Sequence, residues 1–309
     1  MSAALYVLSG AGLAAIGYLV FRHLVRRGLA PTRICERRSP ADLGLNYQVA
    51  RIATERGKTL FGWFVPAAVA GRAPAVIVLH GWGGNAETLL PLLNPLHAAG
   101  FAVLLFDARC HGQSDADDFT SLPRFAEDCH HAMNWLQSQP MVDPSRVALI
   151  GHSVGAAAAL LVSARRDDVS ALVCVAAFAH PAAMMRRYLG AMRIPYFPLG
   201  WLVLRYVQRA IGHRFDAIAP VAVIGKVRCP TLLVHGAEDA TVPVAEARAI
   251  FAGRSGDHVR LKVVAGSHDD FGDENDIAGE IAELVAFLQE RCDDLPEPPL
   301  SSLQVVGSC

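Results

Sequence analysis

The sequence predicts an α/β protein built on a mostly parallel, doubly wound sheet, with an inserted helical segment and one transmembrane helix before it. Three observations carry this. From Pro74 onward, short continuous apolar runs alternate with helical segments, the pattern of a parallel sheet covered on both faces. That rhythm breaks between about Ala179 and Ala222 and then resumes. The N-terminal run from Met1 to Phe21 carries no charged side chain.

The elements follow in order. At about 1.5 Å per residue the N-terminal run spans roughly 30 Å, the hydrocarbon thickness of a bilayer. Arg22, Arg26, Arg27, Arg33, Arg37 and Arg38 come after it, whereas a cleavable signal carries its positive charge first. The expectation is a transmembrane anchor over residues 1–24, a basic linker over 25–45, and the rest of the chain in the cytoplasm. Tyr47–Thr54 and Thr59–Val65 are strand-like and joined at Arg56-Gly57-Lys58. Ala75–Leu79 is a buried strand, Glu87–Ala98 a helix, Ala102–Phe106 a strand and Leu122–Gln137 an amphipathic helix. Arg146–Ile150 and Ala171–Val175 are strands on either side of a small-residue helix that opens at Ala156. After the insert come strand Thr231–Val234, helix Val244–Phe251, strand Leu261–Val264 and helix Ile277–Gln289. Asp293–Cys309, with Pro296, Pro298 and Pro299, reads as a disordered tail. This leaves 46–292 as the folded domain, with its insert at about 179–222.

Composition narrows the function classes. A formal charge of −1 gives no case for a nucleic-acid partner. Seven cysteines without C-x-x-C spacing read as free thiols of a reducing compartment. No His/Cys cluster has zinc-site spacing and no G-x-x-x-x-G-K-[ST] loop is present.

Gly151-His152-Ser153-Val154-Gly155 stands where a strand gives way to a helix. A serine on so sharp a turn needs small neighbours, because the turn is strained and the helix must lie close to the sheet. Its hydroxyl is a poor nucleophile at neutral pH and needs a base, which in turn needs an orienting acid. His268 follows the Leu261–Val264 strand in Ala265-Gly266-Ser267-His268. Asp239 follows the Thr231–Val234 strand in His235-Gly236-Ala237-Glu238-Asp239. Glu238 is the close rival for the acid, while Asp269 and Asp270 adjoin the base itself. A tetrahedral intermediate also needs two N–H donors aimed at its oxyanion. Val154, directly after the serine, supplies one, and Trp82 in His80-Gly81-Trp82-Gly83-Gly84-Asn85 supplies the other. Each of these residues falls at the carboxyl end of a strand, where open parallel sheets bind ligands.

Taken together, His80-Gly81-Trp82-Gly83, Asp107-Ala108-Arg109-Cys110-His111-Gly112-Gln113-Ser114, the Ser153 turn, the Asp239 turn and the His268 loop resemble the α/β-hydrolase superfamily over about Asn46 to Gln289. The chain order Ser153, Asp239, His268 is the one expected there. The nearest likeness is to the monoglyceride-lipase and serine-aminopeptidase-like branch, which includes membrane-anchored members. The resemblance implies an α/β-hydrolase fold and an ester, amide or thioester hydrolase without metal or cofactor. It also implies that Asp107–Ser114 is structural, so that His111 and Ser114 are scaffold. Cys110 departs from the pattern, since glycine or asparagine is commoner there. Related dehalogenases and epoxide hydrolases carry aspartate where Ser153 stands, and dienelactone hydrolases carry cysteine.

The same resemblance makes the insert a lid. From Ala179 to Phe215 it holds no Asp or Glu, but it holds Arg186, Arg187, Arg193, Arg205, Arg209 and Arg214 among methionines, tyrosines and leucines. That composition offers no carboxylate to an aminopeptidase substrate and suits an apolar acyl chain or an anionic membrane surface. The expected function is a membrane-anchored serine hydrolase cleaving esters with apolar acyl groups. The alternatives are an acyltransferase or thioesterase on the same triad, and a non-catalytic protein that uses the fold for contacts.

Overall fold

A computed structural model of the protein describes residues 3–268 and 274–293, with side chains described over 11–268 and 279–292. The chain opens with helix α1 (Ala3–Gly28). Strands β1 (Gln48–Thr54) and β2 (Lys58–Val65) then form an antiparallel hairpin. Its turn is made by Arg56 and Gly57, at φ 63° and 67°. Strand β3 (Ala73–Leu79) leads through a 3₁₀ segment, Ala86–Leu92, into helix α2 (Leu93–Ala98). The sequence predicts one helix here. Pro91 and Pro95 remove backbone donors from it, so the first part tightens to 3₁₀ geometry.

Strand β4 (Ala102–Phe106), helix α3 (Leu122–Gln137), strand β5 (Val142–His152), helix α4 (Val154–Ser163) and strand β6 (Leu172–Val175) continue the alternation. The inserted helices are α5 (Pro181–Ala191), α6 (Trp201–Ile211), α7 (Phe215–Ile218) and α8 (Pro220–Val223). Strand β7 (Thr231–Gly236), helix α9 (Val244–Ala252), strand β8 (Val259–Val264) and helix α10 (Glu274–Asp293) complete the described chain.

The eight strands form one sheet in the order β1-β2-β4-β3-β5-β6-β7-β8, parallel from β4 through β8 and antiparallel at the β1 and β2 edge. Side chains of the central strands alternate between two cores. Ile77, Leu104 and Leu149 face α3, α4 and the insert, whereas Val78, Leu105 and Ile150 face α2 and α10. From β3 the chain first builds β4 on one side and then crosses to β5 on the other. The strand order therefore reverses between β3 and β5, and this switch point is where ligands bind in such sheets.

The expected membrane anchor is overturned. Among the described residues no helix is long and apolar enough to cross a membrane. Arg22, Arg26 and Arg27, which read as part of a flank after the span, lie inside α1 instead, and its C-terminal turns are docked on the domain. Arg26 donates to the Tyr206 hydroxyl and pairs with Asp118, each at 3.0 Å. Phe21 packs edge-on against Tyr206 at 5.6 Å, and Val25 and Leu29 pack on the α3–α4 core. The transmembrane helix before the fold, the single-pass membrane location with its cytoplasmic placement, and the membrane as a partner through this helix are all corrected accordingly. The tail over 294–309 and Asp269 and Asp270 lie outside the described residues.

Candidate active site

Ser153 stands at φ 53° and ψ −115°, a region that costs an L residue about 1–3 kcal/mol. Neighbouring structure holds it there. Its N–H donates to Val175 O of β6 at 2.8 Å. A Cβ on Gly151 would come within 2.5 Å of the Ala156 nitrogen and the Gly155 oxygen, and one on Gly155 within 2.5 Å of His80 O and 2.6 Å of Leu79 O. These are backbone atoms that cannot step aside. Gly155→Ala is therefore expected to destabilise the domain by about 3 kcal/mol, read from urea unfolding.

The turn presents the Ser153 hydroxyl to His268 Nε2 at 3.1 Å, across 115 residues of sequence. His268 Nδ1 lies 2.7 Å from Asp239 Oδ2. A carboxylate only accepts, so Nδ1 carries the imidazole proton and Nε2 offers its lone pair to the serine. Asp239 is buried, and its other oxygen accepts the N–H groups of Thr241 (2.9 Å) and Val242 (2.7 Å), which fix its orientation. Glu238 points elsewhere and accepts from Gly266 N–H.

Val154 opens α4, and the first N–H groups of a helix have no acceptor within it. Trp82 stands on the loop after β3, whose Gly81 approaches Ser153 so closely that a Cβ would sit 3.4 Å from the serine Cβ. Trp82 and the Ser153–His268 pair border a cavity of about 880 Å³. Its apolar walls are Leu89 and Leu92 of the 3₁₀ segment, Ile150, Leu232 and Val234 of the sheet, and Ile281 and Leu284 of α10. From the insert only Tyr188 is among the lining residues. Several expected lid residues are engaged otherwise: Arg187 pairs with Glu246 of α9 at 2.5 Å, Arg186 donates to Tyr196, and Arg205 lies over Trp201.

Residues 72–214 match the family described as "Serine aminopeptidase, S33". The esterase Pf2001 of Pyrococcus furiosus superposes with a TM-score of 0.69 at 22% identity, over 85% of this chain and 98% of that one. The protein has the α/β-hydrolase fold. The uncharacterized protein Rv2307c of Mycobacterium tuberculosis is 33% identical over 192 residues, a stretch that spans 62% of this chain and 62% of that relative. The polyketide transferase af380 of Aspergillus fumigatus is 31% identical over 139 residues, which are 44% of this chain and 47% of that protein. The family match spans less than half of the chain, and the structural likeness is one of fold.

On the α/β-hydrolase fold, His152 and His235 carried no signal that sequence reasoning could use, whereas Asp107 and Ser114 belong to the stretch that the sequence reading assigns to the scaffold. His152 Nε2 donates to His268 O at 2.9 Å and so braces the His268 loop. His235 is fully buried with its Nε2 at 2.6 Å from Val242 O and 3.5 Å from Asp239 Oδ2. Asp107 accepts from Ala86 N and Gln113 N, each at 2.8 Å, and burial together with Glu36 pushes its carboxyl up to about 8. Ser114 donates to Asp107 O at 2.5 Å and accepts from Phe61 N at 2.8 Å.

Proposed function

We propose that the protein is a serine hydrolase that cleaves carboxylic esters with apolar acyl groups through an acyl-enzyme. The observation that carries the reading is the continuous hydrogen-bonded line from Ser153 through His268 to Asp239, set at the edge of a largely apolar cavity. Ser153 Oγ attacks the ester carbonyl while His268 Nε2 takes its proton. Asp239 stabilises the imidazolium that forms. The N–H groups of Val154 and Trp82 receive the developing oxyanion, and His268 then protonates the leaving alcohol. In the second half His268 removes a proton from water, which attacks the acyl carbonyl and restores the serine.

The apolar walls lie on the α10 side of the serine, which is where an acyl chain would extend. The test is a panel of p-nitrophenyl esters from acetate to laurate. The wild type is expected to favour the longer chains. Leu92→Trp, which fills that side, is expected to lower kcat/KM for laurate at least about tenfold while leaving acetate within about twofold. A uniform loss across the panel, or none, sinks the acyl assignment.

A second reading, transfer of the acyl group to an alcohol in place of water, is favoured by the likeness to the af380 polyketide transferase. Added acceptor alcohols that yield ester rather than free acid decide for it.

A further inference from the structure

Two buried histidines lie against the loop that carries Trp82, and the hydrolytic steps use neither. His80 closes β3 and His111 sits on the loop after β4; both are 1% exposed. Their rings lie 4.7 Å apart and both pack edge-on against Phe125. Burial pushes His80 down to about 3 and His111 down to about 4, so at neutral pH each ring has one N–H and one lone pair.

All four of those groups are engaged, and in the same sense. His80 Nε2 accepts the Ala108 N–H at 3.0 Å, which leaves the proton on Nδ1, and Nδ1 donates to Gly81 O at 2.7 Å. His111 Nε2 accepts the Gly83 N–H at 3.2 Å, and its Nδ1 donates to Arg109 O at 3.0 Å. A protonated ring could not accept, so the neutral form is the one that fits both positions.

The two contacts on the β3 loop fall on the peptide groups on either side of Trp82. Gly81 O accepts from His80 and also from Gly84 N–H at 3.2 Å. In a planar trans peptide the N–H points opposite to the C=O. Holding Gly81 O against His80 therefore turns the Trp82 N–H the other way, toward the cavity that Gly81, Trp82 and Ser153 line together. His111 fixes the next peptide by its N–H, and the Trp82 ring packs edge-on against His111 at 6.2 Å. The loop after β4 is itself immobilised, because Arg109 is fully buried against Asp128 at 2.7 Å.

We propose that His80 and His111 are positioning residues for the oxyanion site, a paired neutral brace whose task is to aim the Trp82 N–H. This rests on the serine-hydrolase reading above. It gives the Asp107–Ser114 stretch a role in the reaction: that stretch supplies Ala108 N–H and His111, the fixed points from which the donor is aimed.

Shape-keeping and contact-keeping variants of the full chain separate this from general support. His80→Phe keeps a ring and loses both contacts, whereas His80→Asn keeps a donor where Nδ1 stood. The expectation for His80→Phe is a kcat lower by about 100-fold per active site, with KM within about threefold. Sites are counted by exhaustive labelling with a fluorophosphonate. A trifluoromethyl ketone, which adds to Ser153 and places an oxyanion in the hole, is expected to bind about 100-fold more weakly. His80→Asn should recover most of both. An unchanged kcat per site and unchanged ketone affinity in His80→Phe, even with a lowered Tm, overturn the proposal. If His80→Phe does not fold, His111→Phe against His111→Gln decides in the same way, since glutamine keeps an acceptor for Gly83 N–H. A wild type that is neither labelled at Ser153 nor active on any ester removes the serine-hydrolase reading and the brace with it; an active wild type with an indifferent His80→Phe removes the brace alone.

Discussion

Ser153→Ala should abolish turnover, with kcat down by roughly 10⁵-fold or more on the best ester, and should no longer react with a fluorophosphonate probe. The size follows from the geometry. Ser153 Oγ is the atom that faces the base at 3.1 Å, so its loss leaves only water activation and the oxyanion donors. The substitution keeps Cβ, and with it the same backbone conformation, so Tm is expected to move by no more than about 2 °C. Retained labelling or retained turnover in a folded Ser153→Ala protein rejects this serine as nucleophile.

Asp239→Asn tests the next link, with an expected loss of about 10⁴-fold in kcat at neutral pH, the scale known for the equivalent change in a serine protease. The carboxamide oxygen can still accept from Thr241 and Val242 N–H, so the turn survives. The amide NH₂ would then face His268 Nδ1 where Asp239 Oδ2 stands at 2.7 Å. Two donors cannot meet. Nδ1 must give up its proton, the proton moves to Nε2, and the ring no longer offers a lone pair to the serine. A variant that keeps more than about a tenth of wild-type kcat places the orienting acid elsewhere.

Much of this architecture was legible because parallel strands buried on both faces leave a plain mark. Val76–Leu79, Val103–Phe106 and Val147–Ile150 are unbroken apolar runs, and each became a central strand. Ser153, Asp239 and His268 were legible as loop residues directly after strands, and the structure brings them within hydrogen-bond reach of one another. The N-terminal helix was misread because hydropathy does not record what a charge will touch. Arg26 looked like a flank facing lipid headgroups and instead reaches Asp118 and Tyr206. Cys110, an oddity in sequence, has φ 69°, where glycine or asparagine would be less strained. Its sulfur accepts from Asp117 N–H at 3.2 Å and donates to Asp117 O at 3.5 Å. The contacts that tie His80 to Ala108, His111 to Gly83 and His152 to His268 reach backbone groups on other loops, and no spacing in a sequence specifies those.

The pairing of β3 with β5 ends at Leu79 opposite Gly151. One residue past that rung, β3 becomes the loop that carries Trp82, while β5 runs on to His152 and the serine turn. The Ser153 turn and the Trp82 loop thus hang from neighbouring strands about 4.8 Å apart. Ordering them needs almost no conformational entropy beyond what sheet formation has already removed. The amides expected to exchange most slowly with solvent and the atoms placed for reaction then belong to one cooperative unit, which opens as a whole or not at all.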